Sequence, residues 1–335
     1  MPEFLYRDII KIMLIDIFLI VLGMVFLIKG GDMLVDGASS LARRFNISEL
    51  AIGLTIVAFG TSAPELVVSL AAAIGSHPEI ALGNVIGSNN FNLFAILGIT
   101  GLIAPIAVQK NTIRIEIPFS LFAVILLFLL ANLNFLPGEK NMVTRVDGVI
   151  LLVFFGLFLF YVYKSMKNTE SGDSSDEKSS AKILSLFKSV LFIILGLVFL
   201  VLGGRVVVNA AVALAQALNI SEKIIGLTIV AVGTSLPELV TSVTAIIKKS
   251  SDIAIGNIIG SNVFNIFLIL GTSSLVNPMS YSPVFNQDIY FLVFGTLLLL
   301  LAMFIGNKKK LDRWQAAIFL ALYAGYVVYL IMRNE

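Results

Sequence analysis

Cysteine is absent from the 335 residues, which excludes disulfides, thiolate metal sites and cysteine nucleophiles. Histidine occurs once, as His77 in the polar turn Gly75-Ser76-His77-Pro78-Glu79, where a solvated ring is the simpler reading. Charge is scarce too. Asp, Glu, Lys and Arg make up 13% of the chain, against about 25% in a soluble domain, too few to coat a globular surface. What fills the sequence instead is apolar: 58% of residues are hydrophobic and the mean hydropathy is +0.98. The charges cluster between apolar runs of roughly 20 residues, the length that crosses a hydrocarbon core of about 30 Å. A net charge of +2 would suggest an acidic partner in a soluble protein. Here it reflects lysines and arginines gathered on one side of a bilayer, and nucleic acid is not an expected partner. No cleavable signal peptide stands out, because Arg7, Asp8 and Lys11 lead directly into an apolar stretch too long for one.

The runs predict an all-α membrane protein of ten transmembrane helices, at about 13–42, 48–75, 79–103, 113–132, 143–163, 187–217, 221–247, 252–276, 287–306 and 313–332. The one long hydrophilic stretch, 164–186, is rich in Ser, Asp, Glu and Lys and reads as a linker too short to hold a folded domain. Either side of it lies a duplication. Residues 30–98 align with 203–271 without a gap, at a constant offset of 173, with about 40 of the 69 positions identical. ISELAIGLTIVAFGTSAPELVVS (47–69) matches ISEKIIGLTIVAVGTSLPELVTS (220–242), and GNVIGSNNFNLFAILG (83–98) matches GNIIGSNVFNIFLILG (256–271). Five predicted spans separate equivalent points. Five is odd, so the halves 1–163 and 187–335 are expected to sit upside down relative to each other, as the inverted repeats of secondary transporters do. With the N-terminus outside, fifteen Lys and Arg residues fall in the inner connections and six in the outer ones. That excess predicts an extracellular N-terminus and a cytoplasmic linker in a multi-pass cell-membrane protein.

Two predicted spans carry a carboxylate near their middle, in Gly60-Thr61-Ser62-Ala63-Pro64-Glu65 and in Gly233-Thr234-Ser235-Leu236-Pro237-Glu238. An ion buried at that depth is costly, so an intramembrane acid is a functional candidate by default. The adjoining proline donates no amide hydrogen and clashes with the carbonyl four residues back, which frees backbone oxygens at Gly60 and Gly233. Thr61, Glu65 and Ser69 lie four apart, as do Thr234, Glu238 and Ser242, so each trio shares a helix face. The next spans repeat the pattern with Asn84, Ser88 and Asn92, and with Asn257, Ser261 and Asn265. Every side chain in these stripes offers oxygen and none offers sulfur or imidazole, a set suited to Na⁺ or Ca²⁺ and poorly suited to copper or zinc. Two ionised glutamates would balance one Ca²⁺.

Blander readings apply to the neighbours. Gly83 with Gly87, and Gly256 with Gly260, form small-residue pairs that mark close helix packing. Ser69 and Ser242 suit a structural role as well as a binding one. Asp32, Asp36, Lys29 and Arg205 sit where side chains snorkel to the interface, and Glu116 and Asp288 lie at span edges and read as interfacial.

These paired signatures closely resemble the two repeats of the sodium/calcium exchanger family, within the cation/calcium antiporters, of the prokaryotic type without a regulatory domain. The resemblance covers both motif blocks in both halves. It implies a sodium/calcium antiporter, not an enzyme, with no cofactor beyond the transported ions. It also implies that Glu65 and Glu238 are shared calcium and sodium ligands. Thr61, Ser62, Thr234 and Ser235 would add hydroxyl or carbonyl oxygens, Ala58 and Ala231 carbonyls, and Ser88, Asn92, Ser261 and Asn265 would complete the cluster. In this family the first and sixth helices slide together over an eight-helix core. Potassium-dependent relatives tend to carry aspartate where this chain has Asn265, which argues against K⁺ coupling. The short linker leaves no place for an internal calcium sensor.

The competing reading is a calcium/proton antiporter, in which protons rather than sodium would occupy Glu65 and Glu238. An intramembrane aspartic-type protease needs two acids in unlike protonation states and a GxGD motif that the chain lacks. A passive cation channel would conduct without counter-transport. Oligomeric state is not encoded in these features, and a monomer is compatible with them.

Overall fold

The computed structural model describes residues 3–133, 141–167, 184–217, 231–305 and 309–333. Its helices are α1 (Glu3–Phe45), α2 (Glu49–Thr61), α3 (Ala63–Ile74), α4 (Pro78–Ile103), α5 (Thr112–Asn132), α6 (Arg145–Lys167), α7 (Leu186–Ala217), α8 (Leu236–Ile247), α9 (Ser251–Val276), α10 (Phe285–Ala302) and α11 (Arg313–Arg333). A further helical turn, Ala231–Gly233, precedes α8. Eight of these helices are long and apolar enough to cross a membrane, and α2 with α3 makes a ninth if that bent pair is one span. Of the predicted span at 221–247, residues 221–230 lie outside the described residues. The predicted linker is shorter than expected, because α6 continues through Lys167 and α7 opens at Leu186; residues 168–183 lie outside the described set.

The α2–α3 bend follows from local sequence. Ser48 caps α2 by accepting from the Ala51 amide at 3.1 Å. The helix then breaks at Ser62, whose backbone leaves the helical region, and α3 starts at an angle of 48° with Pro64 in its first turn. Proline is tolerated there because a first-turn amide has no intrahelical partner to lose. The second copy repeats the break at Ser235, with Pro237 in the first turn of α8. Among the described residues, four stretches widen to π-helix: Gly53–Val57, Phe91–Ile96, Thr112–Glu116 and Asn265–Leu270. Such widened turns re-aim the side chains they carry and are frequent at functional sites.

Burial grades from the middle outward. Almost every side chain of α9 is buried, and α4 is mostly so, whereas α1, α6, α7 and α11 present long rows of exposed Leu, Ile, Val and Phe, such as Phe18, Phe160 and Phe187. On a soluble protein that surface would aggregate; against acyl chains it costs nothing. α1 and α7 run antiparallel along each other. Gly23, Gly30 and Gly37 on α1, seven apart, oppose Gly203, Gly196 and Ser189 on α7. A Cβ at Gly30 would lie 2.8 Å from the Gly196 carbonyl oxygen, and one at Gly203 would lie 2.8 Å from that of Gly23. The absence of side chains is what lets the two backbones touch. The same device joins α2 to α9: a Cβ on Gly256 would meet the Leu50 carbonyl at 2.8 Å, so the packing reading holds for Gly256–Gly260. It does not hold for Gly83–Gly87, where a Cβ on Gly83 would come no nearer than 3.8 Å to Phe285 and one on Gly87 would meet nothing within 4 Å.

Two short antiparallel pairs clip the connections. β1 (Ile106–Ala107) pairs with β4 (Lys310–Leu311), and β2 (Met142–Val143) pairs with β3 (Met279–Ser280). Each clip ties a connection of the first half to one of the second.

Candidate ion-binding site

The two broken segments place Glu65 and Glu238 in the first turns of α3 and α8, and both side chains are 1% exposed. Each carboxylate is held in the same way. Glu65 Oε1 accepts from Ser235 Oγ at 2.9 Å, across the halves, and from Ser88 Oγ at 3.5 Å. Glu238 Oε1 accepts from Ser62 Oγ at 2.9 Å and from Ser261 Oγ at 3.5 Å. Thus each half supplies a hydroxyl to the other half's acid. The remaining oxygens, Glu65 Oε2 and Glu238 Oε2, are buried with no hydrogen-bond partner.

Around them the stripes read from sequence lock together. Asn84 Nδ2 donates to the Glu65 carbonyl at 3.2 Å and to Ser69 Oγ at 3.0 Å; Asn257 Nδ2 does the same to the Glu238 carbonyl at 3.3 Å and to Ser242 Oγ at 3.0 Å. The threonines then bridge the halves: Thr61 Oγ1 donates to Asn257 Oδ1 at 3.0 Å and Thr234 Oγ1 to Asn84 Oδ1 at 3.3 Å. Ser69 and Ser242 thus each anchor an asparagine of the neighbouring stripe. The Ala58 carbonyl accepts from the Ser62 amide at 3.0 Å and from Thr61 Oγ1 at 3.4 Å, while Ala231 opens the helical turn three residues before Thr234. Asn92 and Asn265 each donate through Nδ2, and each keeps a buried Oδ1 without a partner.

Electrostatically the site is two acids in a shell of neutral oxygens. Among the described residues no group of three or more His, Cys, Asp or Glu comes together, so the negative charge of this cluster rests on Glu65 and Glu238. Bare buried acceptors are costly unless a positive group meets them. Carboxylate, amide and hydroxyl oxygens are the donors that a hard cation takes, and they bind transition metals less well.

The family model described as "Sodium/calcium exchanger protein" matches residues 15–164 and 188–332. The chain belongs to the sodium/calcium exchanger family. It is 33% identical over 352 residues to the sodium/calcium exchanger MaX1 of Methanosarcina acetivorans, covering 94% of this chain and 98% of that one. It is 33% identical over 327 residues to the inner membrane protein YrbG of Escherichia coli, with 96% and 97% covered. Among solved structures it resembles the sodium-calcium exchanger NCX_Mj soaked with zero Na⁺ and Ca²⁺, with a TM-score of 0.79 at 33% identity over 95% of this chain and 99% of that one.

Sequence reasoning missed two groups. Glu116 and Asp288, expected at the interface, are buried within the protein, at 1% and 4% exposure. Tyr161 donates to Glu116 at 2.5 Å, and Asp288 is paired with Arg333 at 3.2 Å and accepts from Tyr326 at 2.9 Å. Their partners lie 38 or more residues downstream, beyond any local pattern. The second group is Asn89 and Asn262, the third residues of the two Gly-Ser-Asn triplets; their repetition in both copies was the available signal. Asp32 and Asp36, read as snorkelling, are exposed and meet Lys248 at 3.2 and 2.8 Å, tying α1 to the end of α8.

Proposed function

We propose that this sodium/calcium exchanger family member moves Ca²⁺ against Na⁺ by alternating access, with Glu65 and Glu238 as ligands shared by both ions. The observation that carries this reading is that, of the ten buried side-chain oxygens without partners among the described residues, four belong to this cluster: Glu65 Oε2, Glu238 Oε2, Asn92 Oδ1 and Asn265 Oδ1. On each of these residues the other polar side-chain atom is already bonded, which fixes the group and leaves one oxygen for a cation. Thr61, Thr234, Ser62, Ser235, Ser88 and Ser261 add hydroxyl oxygens, and Ala58 and Ala231 add carbonyls. Two carboxylates neutralise one Ca²⁺ or two Na⁺, so the ions compete for the same charges. An exchange of more than two Na⁺ per Ca²⁺ moves net charge and responds to membrane potential.

The architecture in this reading is ten spans in two inverted five-helix repeats, joined by a cytoplasmic linker between α6 and α7, with the N-terminus outside. Three features support it: the constant offset of the paired hydrogen bonds, the matched breaks at Ser62 and Ser235, and the clips. Each clip joins connections that the odd-numbered repeat assigns to one side of the membrane. The glycine-lined α1–α7 pair is the element suited to slide as a body. One copy of the chain holds every proposed ligand, so a monomer suffices.

The test is Ca²⁺ uptake into proteoliposomes with and without an opposing Na⁺ gradient, under a clamped pH gradient. Uptake that ignores the Na⁺ gradient refutes the exchange. Uptake driven by a pH gradient alone would assign the counter-ion role to protons.

A further inference from the structure

Four asparagines meet where the two copies of Gly-Ser-Asn-x-Phe-Asn cross, and the ion pocket uses only Asn92 and Asn265. The other two, Asn89 and Asn262, are 0% and 3% exposed. Asn89 Nδ2 donates to the Asn262 backbone carbonyl at 3.2 Å, and Asn262 Nδ2 returns a bond to the Asn89 carbonyl at 3.4 Å. Their side-chain oxygens are taken as well. Asn265 Nδ2 donates to Asn89 Oδ1 at 2.9 Å, and Asn92 Nδ2 to Asn262 Oδ1 at 3.1 Å. All four bonds cross from one half to the other.

The consequence falls on Asn92 and Asn265. A carboxamide has one accepting and one donating end of nearly equal size, so rotation about its last bond exchanges them with little steric effect. At Asn265 that rotation would set Oδ1 against Asn89 Oδ1, acceptor against acceptor, and leave Nδ2 without a partner. At Asn92 the same conflict arises with Asn262. Burial removes the water that would absorb either error. The wrong rotamer would also turn an N–H toward the ion, which is repulsive. The backbone contributes to the aim, because Asn92 lies in the π-helical stretch Phe91–Ile96 and Asn265 opens the stretch Asn265–Leu270.

We infer that Asn89 and Asn262 are positioning residues that lock the Asn265 and Asn92 amides with their oxygens toward the transported cation, and so set the affinity for Ca²⁺. This rests on the proposed ion pocket. A purely structural role, in which the cluster only pins α4 to α9, predicts lost stability or slower transport without a selective loss of affinity. Positioning predicts the reverse.

The experiment measures Na⁺-driven Ca²⁺ uptake in proteoliposomes for Asn89→Leu, Asn262→Leu and Glu65→Gln. Each leucine removes the acceptor that holds a pocket amide. The apparent KM for Ca²⁺ should rise about tenfold, with the maximum rate within about twofold of the unmodified chain. An unchanged KM in both leucine variants, or a lower maximum rate at unchanged KM, overturns the inference. Glu65→Gln separates the two readings. If it transports normally, the pocket itself is misassigned; if it fails while the leucine variants keep their KM, only the positioning role falls. Should the leucine variants fold poorly, the unmodified chain still decides. The Asn92 and Asn265 side-chain N–H groups, followed by NMR in micelles, should exchange with solvent far more slowly than exposed asparagine amides. Exchange at the exposed rate overturns the inference.

Discussion

Glu65→Gln is the most demanding perturbation of the pocket, because it changes charge and almost nothing else. Glutamine fills the same space, and its carbonyl oxygen can take the place of Oε1, where Ser235 and Ser88 donate at 2.9 and 3.5 Å. The amide nitrogen then occupies the place of Oε2, the atom that is buried without a partner. Folding should survive, since a buried carboxylate with one bare oxygen is replaced by a neutral group. Calcium binding should not. Removing one partner of a buried ionic pair costs about 3–5 kcal/mol, which is between about two and four orders of magnitude in affinity. A donating N–H facing the ion adds to the loss. Two assays follow from the same variant. In proteoliposomes, Na⁺-driven Ca²⁺ uptake should fall to background. In detergent, the stabilisation by Ca²⁺, about 2.7 kcal/mol at a hundredfold excess over Kd, should vanish, while the ion-free Tm stays at or above that of the unmodified chain. A variant that keeps both the uptake and the calcium-dependent shift in Tm would refute the assignment of Glu65 as a ligand.

Other perturbations separate the remaining parts of the structure. Asn265→Asp adds a third titratable acid to the pocket, so uptake should fall more steeply on acidification and the Na⁺ dependence should change; identical pH and Na⁺ profiles would exclude a pocket role for this position. Gly30→Ala places a Cβ 2.8 Å from the Gly196 carbonyl and from the Leu200 amide, both backbone, and should destabilise by about 1–3 kcal/mol in thermal unfolding. Gly60→Ala meets the end of the Leu197 side chain first, its methyls at 2.4 and 2.7 Å, and should cost less, because that side chain can move aside. Lys248→Ala breaks the ion pairs to Asp32 and Asp36, both well exposed, and should alter Tm by no more than the 0–1 kcal/mol of a surface pair. Tyr161→Phe strips the donor from buried Glu116 and should destabilise by about 1–3 kcal/mol, while Glu116→Gln in the same background recovers part of the loss.

Much of this was legible in the sequence, for reasons that differ between elements. The spans were legible because hydrocarbon imposes a length and a composition on any helix that crosses it. The glutamates were legible because a charge in such a run has no passive explanation, and because the offset of 173 repeats it. Hydrogen-bond partners were not. Ser62 precedes Glu65 by only three residues, yet it donates to Glu238, and it is Ser235 that serves Glu65 at 2.9 Å. A duplication reveals that two copies match, but not whether each completes its own site or its partner's. Glu116 illustrates a second limit. Its position near the start of α5 reads as a membrane edge, and only the packing of Tyr161 from α6 shows that the side chain is inside. Ala58 marks a third, since a backbone carbonyl carries no sequence signal of its own.

The exchange of serines between halves has a consequence for how the pocket fails. Neither half can hold its own carboxylate with the short hydroxyl bond, because each 2.9 Å contact crosses between them. Losing Ser62 therefore loosens Glu238, and losing Ser235 loosens Glu65. If the two acids bind one ion, these losses are not independent. A cation already held poorly by one swinging carboxylate gains less from the fixed position of the other. Ser62→Ala and Ser235→Ala should each weaken Ca²⁺ binding by roughly the 1.5–3 kcal/mol of a hydrogen bond to a charged group, and together by clearly less than the sum. Calorimetric titration of the two single variants and the double variant measures this directly. Strict additivity would mean that the acids serve separate ions, and the picture of one shared pocket would have to be abandoned.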